Sequence, residues 1–178
     1  MKYRYVLIVF AVLYGASLAL PHIIFAPNSF TSYFYYGIWI LLSGFLALLQ
    51  GNFAWCANFV IVLAMASLSG IWSAKQNLVA MYATLIAFVV ALDSYAYRTG
   101  IGGAEGEPIQ VSHLGSGFYL WELSILVLAF YFYLRYRQAR SSNKSPPSRH
   151  ILWDFFVVVG AGTASFILLW FGLPLLSP

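Results

Sequence analysis

Apolar runs of about twenty residues, the length a helix needs to cross a bilayer core, account for most of this sequence. They lie at 5–26, 32–49, 53–72, 78–97, 117–134 and 151–175. Between them stand turn-forming or polar links such as Pro27-Asn28-Ser29, Gln50-Gly51-Asn52 and 73–77. No stretch alternates like the strands of a membrane barrel, and there is no internal repeat. The pattern predicts an all-α fold, a polytopic integral membrane helical bundle of about six transmembrane helices, with residues 1–178 as a single transmembrane domain.

Composition agrees with lipid as the solvent. Only 8% of the residues are charged and 62% are hydrophobic, whereas soluble domains carry about 25% charged residues. The 19% aromatic content suits a bilayer interface, where Tyr and Trp concentrate. The net charge of +4 does not point to nucleic acid, because five of the nine basic residues (Arg135, Arg137, Arg140, Lys144, Arg149) share one connecting segment. In that position they set topology or meet anionic headgroups. The partners expected are the bilayer itself and another membrane protein or a second copy of the chain. A single cysteine, Cys56, excludes an internal disulfide and multi-cysteine metal sites.

The first run has two readings. Lys2 and Arg4, an apolar stretch and the small residues from Gly15 to Ala19 fit a signal peptide. The apolar stretch continues past the usual length of such a segment, which favours a retained helix. Orientation is contested. With six spans, Lys75 and the five basic residues of 135–149 share one side, and Lys2, Arg4 and Arg98 share the other. The larger count places loop 135–150 in the cytoplasm of a plasma or inner membrane, while Lys2 and Arg4 argue the reverse.

Small residues four apart let helices approach closely in lipid. Ala11, Gly15 and Ala19 form one such stripe, Ala83, Ala87 and Ala91 a second, and Gly160 with Ala164 a third. Ionisable groups at membrane depth cost free energy and are candidate functional residues. Asp93 near the end of the fourth run and Glu122 near the start of the fifth would lie about 6–8 Å below one surface. There they could share a proton, bind a cation or be neutralised by Arg98. Headgroup water reaching both carboxylates is the simpler account. The other surface is expected to carry His22, Lys75, His150 and Asp154. Asp154 in a first helical turn is explained by the helix dipole, and a haem between His22 and His150 is disfavoured by the interfacial place of His150.

The loop after the fourth run holds Gly100, Gly102, Gly103 and Gly106, but it follows a membrane helix rather than a strand and is no nucleotide fingerprint. Glu105, Glu107 and His113 in the same loop are a loosely spaced metal candidate. No catalytic signature is present, and no cofactor is expected. Three functions remain. The favoured one is action by contact within the bilayer, as an accessory subunit of a membrane complex or an immunity-type protein. The second is a small transporter or channel component using Asp93 and Glu122. The third is a haem- or quinone-linked membrane enzyme subunit.

Overall fold

The computed structural model describes residues 3–28, 31–67, 73–96, 99–101 and 108–141. The chain is mostly helical, but it is not all-α. Helix α1 (Arg4–Ala19) leads into an antiparallel hairpin, β1 (Pro21–Asn28) and β2 (Thr31–Tyr36). A short helix α2 (Gly37–Ser43) and 3-10 turns at Gly44–Gln50 and Ala54–Cys56 precede α3 (Ala57–Ser67). Helix α4 (Ala74–Ala91) ends in a 3-10 turn (Leu92–Ala96), followed by β3 (Thr99–Ile101), β4 (Pro108–Leu114) and α5 (Ser116–Ser141). The four strands form one antiparallel sheet in the order β2-β1-β4-β3.

The sheet corrects two of the expected spans. The first helix stops at Ala19, because Leu20 is extended (ψ 156°) ahead of Pro21, a residue pair that disfavours further helix. The apolar residues Ile23, Ile24 and Phe25 then pair with both β2 and β4. The second run, 32–49, divides. Its aromatic head, through Tyr36, is strand β2, as aromatic residues favour a pleated surface. The rest is a seven-residue helix and a 3-10 turn, too short to cross a bilayer.

That second run also returns to the end from which it started. The Gly37 N–H donates to the Leu20 carbonyl (3.1 Å) at the end of α1. Gly51 reverses the chain with φ 78°, and Phe53 then donates its N–H to Asp93 Oδ2 (2.7 Å) at the end of α4. The Trp55 indole donates back to the Leu41 carbonyl (3.1 Å), closing the excursion. Helices α1 and α4 therefore run toward the sheet, and α3 and α5 run away from it.

Among the described residues, two helical stretches are long and apolar enough to cross a membrane, Ala74–Tyr95 and Ser116–Ser141; Arg4–Ala19 and Ala54–Ala66 are shorter apolar helices. The described residues do not support six spans. The apolar run 151–175, with Asp154, Gly160 and Ala164, lies outside the described residues, as does His150.

Helix α5 packs against α1 on one side and α4 on the other, and α3 packs on α4. Its contacts are made by Leu7, Phe10, Ile61, Ile125, Leu128 and Phe132, with alanines where backbones come close. Of the small residues singled out above, Ala11, Gly15, Ala19, Ala87 and Ala91 are buried and Ala83 is half-buried. Polar side chains are buried as well: Ser17, His22, Asn58, Asn77, Thr84, Glu122 and Ser124. Several are satisfied inside their own helix, as where the Thr84 hydroxyl reaches the Ala80 carbonyl (2.9 Å) and Ser124 reaches Trp121 (2.7 Å). Large apolar side chains instead face outward on every long helix, among them Ile8, Val12, Leu63, Val79, Ile86, Val89 and Phe130. At its start, α4 is closed by a capping box, with Ser73 and Gln76 each satisfying the other's backbone N–H.

Candidate ligand cavity at the sheet end

Immediately after the Leu20–Pro21 break, the chain turns His22 inward, and its ring is 5% exposed. The ring edge bearing Nδ1 and Cε1 fits between the backbones of Gly37 and Gly117. A methyl group on Gly117 would stand 2.6 Å from both His22 Nδ1 and the Leu20 carbonyl oxygen, so only glycine permits this approach. His22 Nδ1 lies 3.4 Å from the Leu20 carbonyl. A carbonyl can only accept, so the proton sits on Nδ1 and Nε2 is left as an acceptor. Burial pushes the imidazole down to about 4, outweighing the opposing effect of the Leu20 hydrogen bond. The ring is therefore neutral at physiological pH. Its neighbour is the Trp121 indole, with ring centroids 6.3 Å apart.

Trp121 connects His22 to a second buried polar group. Its indole N–H donates to Asn58 Oδ1 (3.1 Å), and the Tyr14 hydroxyl donates to the same oxygen (3.4 Å). An indole nitrogen is a donor only, so the amide atom facing it must be the oxygen. Two donors on Oδ1 fix the orientation of the Asn58 amide and leave Nδ2, with no partner among the described residues, as a free donor.

Both groups line a cavity of about 250 Å³ between the sheet, α2 and the starts of α3 and α5. Its walls are mostly apolar, formed by Ile23, Ile40, Leu41, Trp55, Leu114 and Phe118 among others. Asn52 and Ser94 also line it. Asn52 is already engaged, donating to the Asp93 carbonyl (3.3 Å) and accepting from the Ala54 N–H (3.1 Å). Among the described residues, no Lys, Arg, Asp or Glu lines the cavity.

The two carboxylates expected to act together are found at the same end of the molecule but on separate partners. Asp93 holds the Phe53 N–H and so anchors the returning segment. Glu122 Oε2 accepts from the Tyr95 hydroxyl (3.1 Å), while Oε1 is buried with no partner among the described residues. His22 is not on the side of Lys75, as the span count implied. It lies at the sheet end with Trp121 and Glu122, because the segment after α1 folds back on itself instead of crossing. His113, on β4, is exposed and pairs with the Ser112 hydroxyl (3.0 Å). Arg98, Glu105 and Glu107 lie outside the described residues. Among those described, no three metal-ligating side chains come together.

At the far end of α5, Arg135 and Arg137 lie over the rings of Tyr131 and Tyr133. Asn58, Tyr14 and Trp121 did not stand out in the sequence. The available signal was a lone Asn within the apolar run 53–72, since a polar side chain at such depth needs a partner. Comparison of the chain with protein-family models, curated proteins and solved structures finds no match.

Proposed function

We propose that this chain is a membrane-embedded binding protein that holds a small apolar molecule beneath an extracytoplasmic sheet. The observation that carries the reading is the partly open, mostly apolar cavity of about 250 Å³ where the sheet meets the helices. Ligand sites are typically concave, mostly apolar and fitted with a few fixed polar groups, and His22 and Asn58 are such groups here. The cavity is slightly below the usual range of about 300–1,000 Å³, which suits one ring or one short chain rather than a whole phospholipid.

Membrane placement is supported by the outward-facing apolar side chains on α1, α3, α4 and α5 together with the buried polar ones. In water such surfaces would be an association hazard; in lipid they are the solvated face. On this reading α1 and α3 cross along with α4 and α5, and the conflict over orientation is removed. Among the described residues, Arg4 at the start of α1, Lys75 at the start of α4, and Arg135, Arg137 and Arg140 at the end of α5 then share one side, away from the sheet. The positive-inside rule puts the basic end in the cytoplasm and the sheet outside. By length, the run 151–175 would add a fifth crossing.

The topology is tested by single cysteines in a Cys56→Ala background. Ser112→Cys on β4 should react with a membrane-impermeant maleimide in intact cells, and Gln138→Cys near the end of α5 only after lysis. The opposite pattern would refute the orientation. Binding is tested by native mass spectrometry of protein extracted in mild detergent, compared with Ile40→Trp, which fills the cavity. An adduct present in the first and absent from the second is expected. Equal adducts in both would remove the cavity from consideration.

A second reading has one observation in its favour. Glu122 Oε1 is buried without a partner among the described residues, as a proton- or cation-carrying carboxyl in a transport pathway would be. Glu122→Gln should then abolish flux in proteoliposomes, and unchanged flux would dismiss it.

A further inference from the structure

The polar atoms left open in the cavity define the head group it would accept. Asn58 is 7% exposed and His22 5% exposed, and both line the cavity. Asn58 Oδ1 is taken by Trp121 and Tyr14, which turns the Nδ2 donors away from that pair. His22 Nδ1 is taken by the Leu20 carbonyl, which leaves the Nε2 lone pair. Both groups flank the same Trp121 indole. The cavity wall therefore offers one open donor and one open acceptor. Neither is charged, and among the described residues no acidic or basic side chain lines the walls to pair with an ionised head. An ammonium or carboxylate brought here would lose its hydration without compensation.

We infer that the cavity selects a neutral amphiphile with a hydroxyl head, the oxygen accepting from Asn58 Nδ2 and the hydroxyl proton given to His22 Nε2. The inference rests on the binding role proposed above. A hydroxyl is the smallest neutral group that satisfies both atoms. An ether or ketone accepts but leaves His22 Nε2 buried and unpaired. A plain hydrocarbon leaves both unpaired, and an unmade buried hydrogen bond is costly. The apolar walls formed by Ile40, Leu41 and Leu114 receive the chain attached to the head.

The test uses the full chain in lipid nanodiscs and three photoreactive probes of equal length: an octanol carrying an aliphatic diazirine, its methyl ether and the corresponding octylammonium. Labelled residues are mapped by mass spectrometry with and without excess unlabelled octanol. Saturable labelling of cavity-lining residues by the alcohol is expected, with the ether weaker by about tenfold, the equivalent of one buried hydrogen bond. The ammonium should give no saturable labelling there. Asn58→Leu keeps about the same volume but removes the donor, and it should reduce alcohol labelling by a similar factor. Equal labelling by alcohol and ether in the wild-type protein overturns the hydroxyl assignment and leaves the cavity as a binding site. No saturable labelling by any probe overturns both. Because the ether comparison is made on the wild-type chain, the outcome does not depend on how well Asn58→Leu folds.

Discussion

Replacing Gly117 with alanine should destabilise the protein, although the same change in most helices stabilises it. Gly117 lies in the first turn of α5, and alanine in place of glycine within a helix is worth up to about 1 kcal/mol. Here the added methyl would meet the Leu20 carbonyl and His22 Nδ1 at 2.6 Å and the Ser17 carbonyl at 2.9 Å. Two of these atoms are backbone at the end of α1, and the third belongs to a ring wedged against Gly37, so none can withdraw easily. Overpacking of this kind costs about 1–3 kcal/mol and occasionally more. Displacing the His22 ring also sacrifices its bond to Leu20, about 1 kcal/mol. The sum is a net loss of about 1–3 kcal/mol. For a chain of this size each kcal/mol moves the melting temperature by about 2–4 °C, so the midpoint should fall by about 2–12 °C. A thermal-shift measurement in detergent reads this directly, with the exposed Gln138→Ala as a control expected to stay within about 0.5 kcal/mol of wild type. An unchanged or raised midpoint in Gly117→Ala would refute the close packing of α1, His22 and α5 from which the cavity is built.

Trp121→Phe removes the donor that fixes Asn58 and leaves a buried carbonyl with only the longer Tyr14 bond, at a cost of about 1–3 kcal/mol; the same thermal assay checks it. Asp93→Ala frees the Phe53 N–H, costs about 1–2 kcal/mol and loosens the returning segment at residues 51–56, which should appear as faster amide exchange confined to that stretch. His22 has a folded-state value of about 4 against 6.5 in its ordinary state. The unfolded chain therefore binds a proton below about pH 6.5 that the folded chain refuses, and stability is complete above that pH and lost as pH falls toward 4. The loss is about 1.4 kcal/mol per pH unit and about 3 kcal/mol in all. A His22→Gln variant should lack this part of the slope between pH 6.5 and 4, and identical slopes in the two proteins would contradict the buried, neutral imidazole.

From the sequence alone, hydropathy located two long helices. The run at 117–134 lies within the helical stretch Ser116–Ser141, and the run at 78–97 coincides with Ala74–Tyr95 over residues 78–95. The small residues Ala11, Gly15, Ala19, Ala87 and Ala91 are buried in the structure. Tertiary structure decided the rest. Apolar character says that a segment needs burial, not whether it meets that need as helix or strand, and periodicity cannot separate the two in a short apolar run. The segments Pro21–Asn28 and Thr31–Tyr36 became strands because each had a partner to pair with, and for β1 one of those partners is β4, far along the chain. One run turning back instead of continuing changes which end of the molecule everything before it occupies. His22 therefore lies beside Trp121, and the basic start of α1 lies with the basic end of α5. Asn58, Tyr14 and Trp121 meet across three helices, and the physical reason that no local pattern announces them is that each has its partner only once α1, α3 and α5 are packed together.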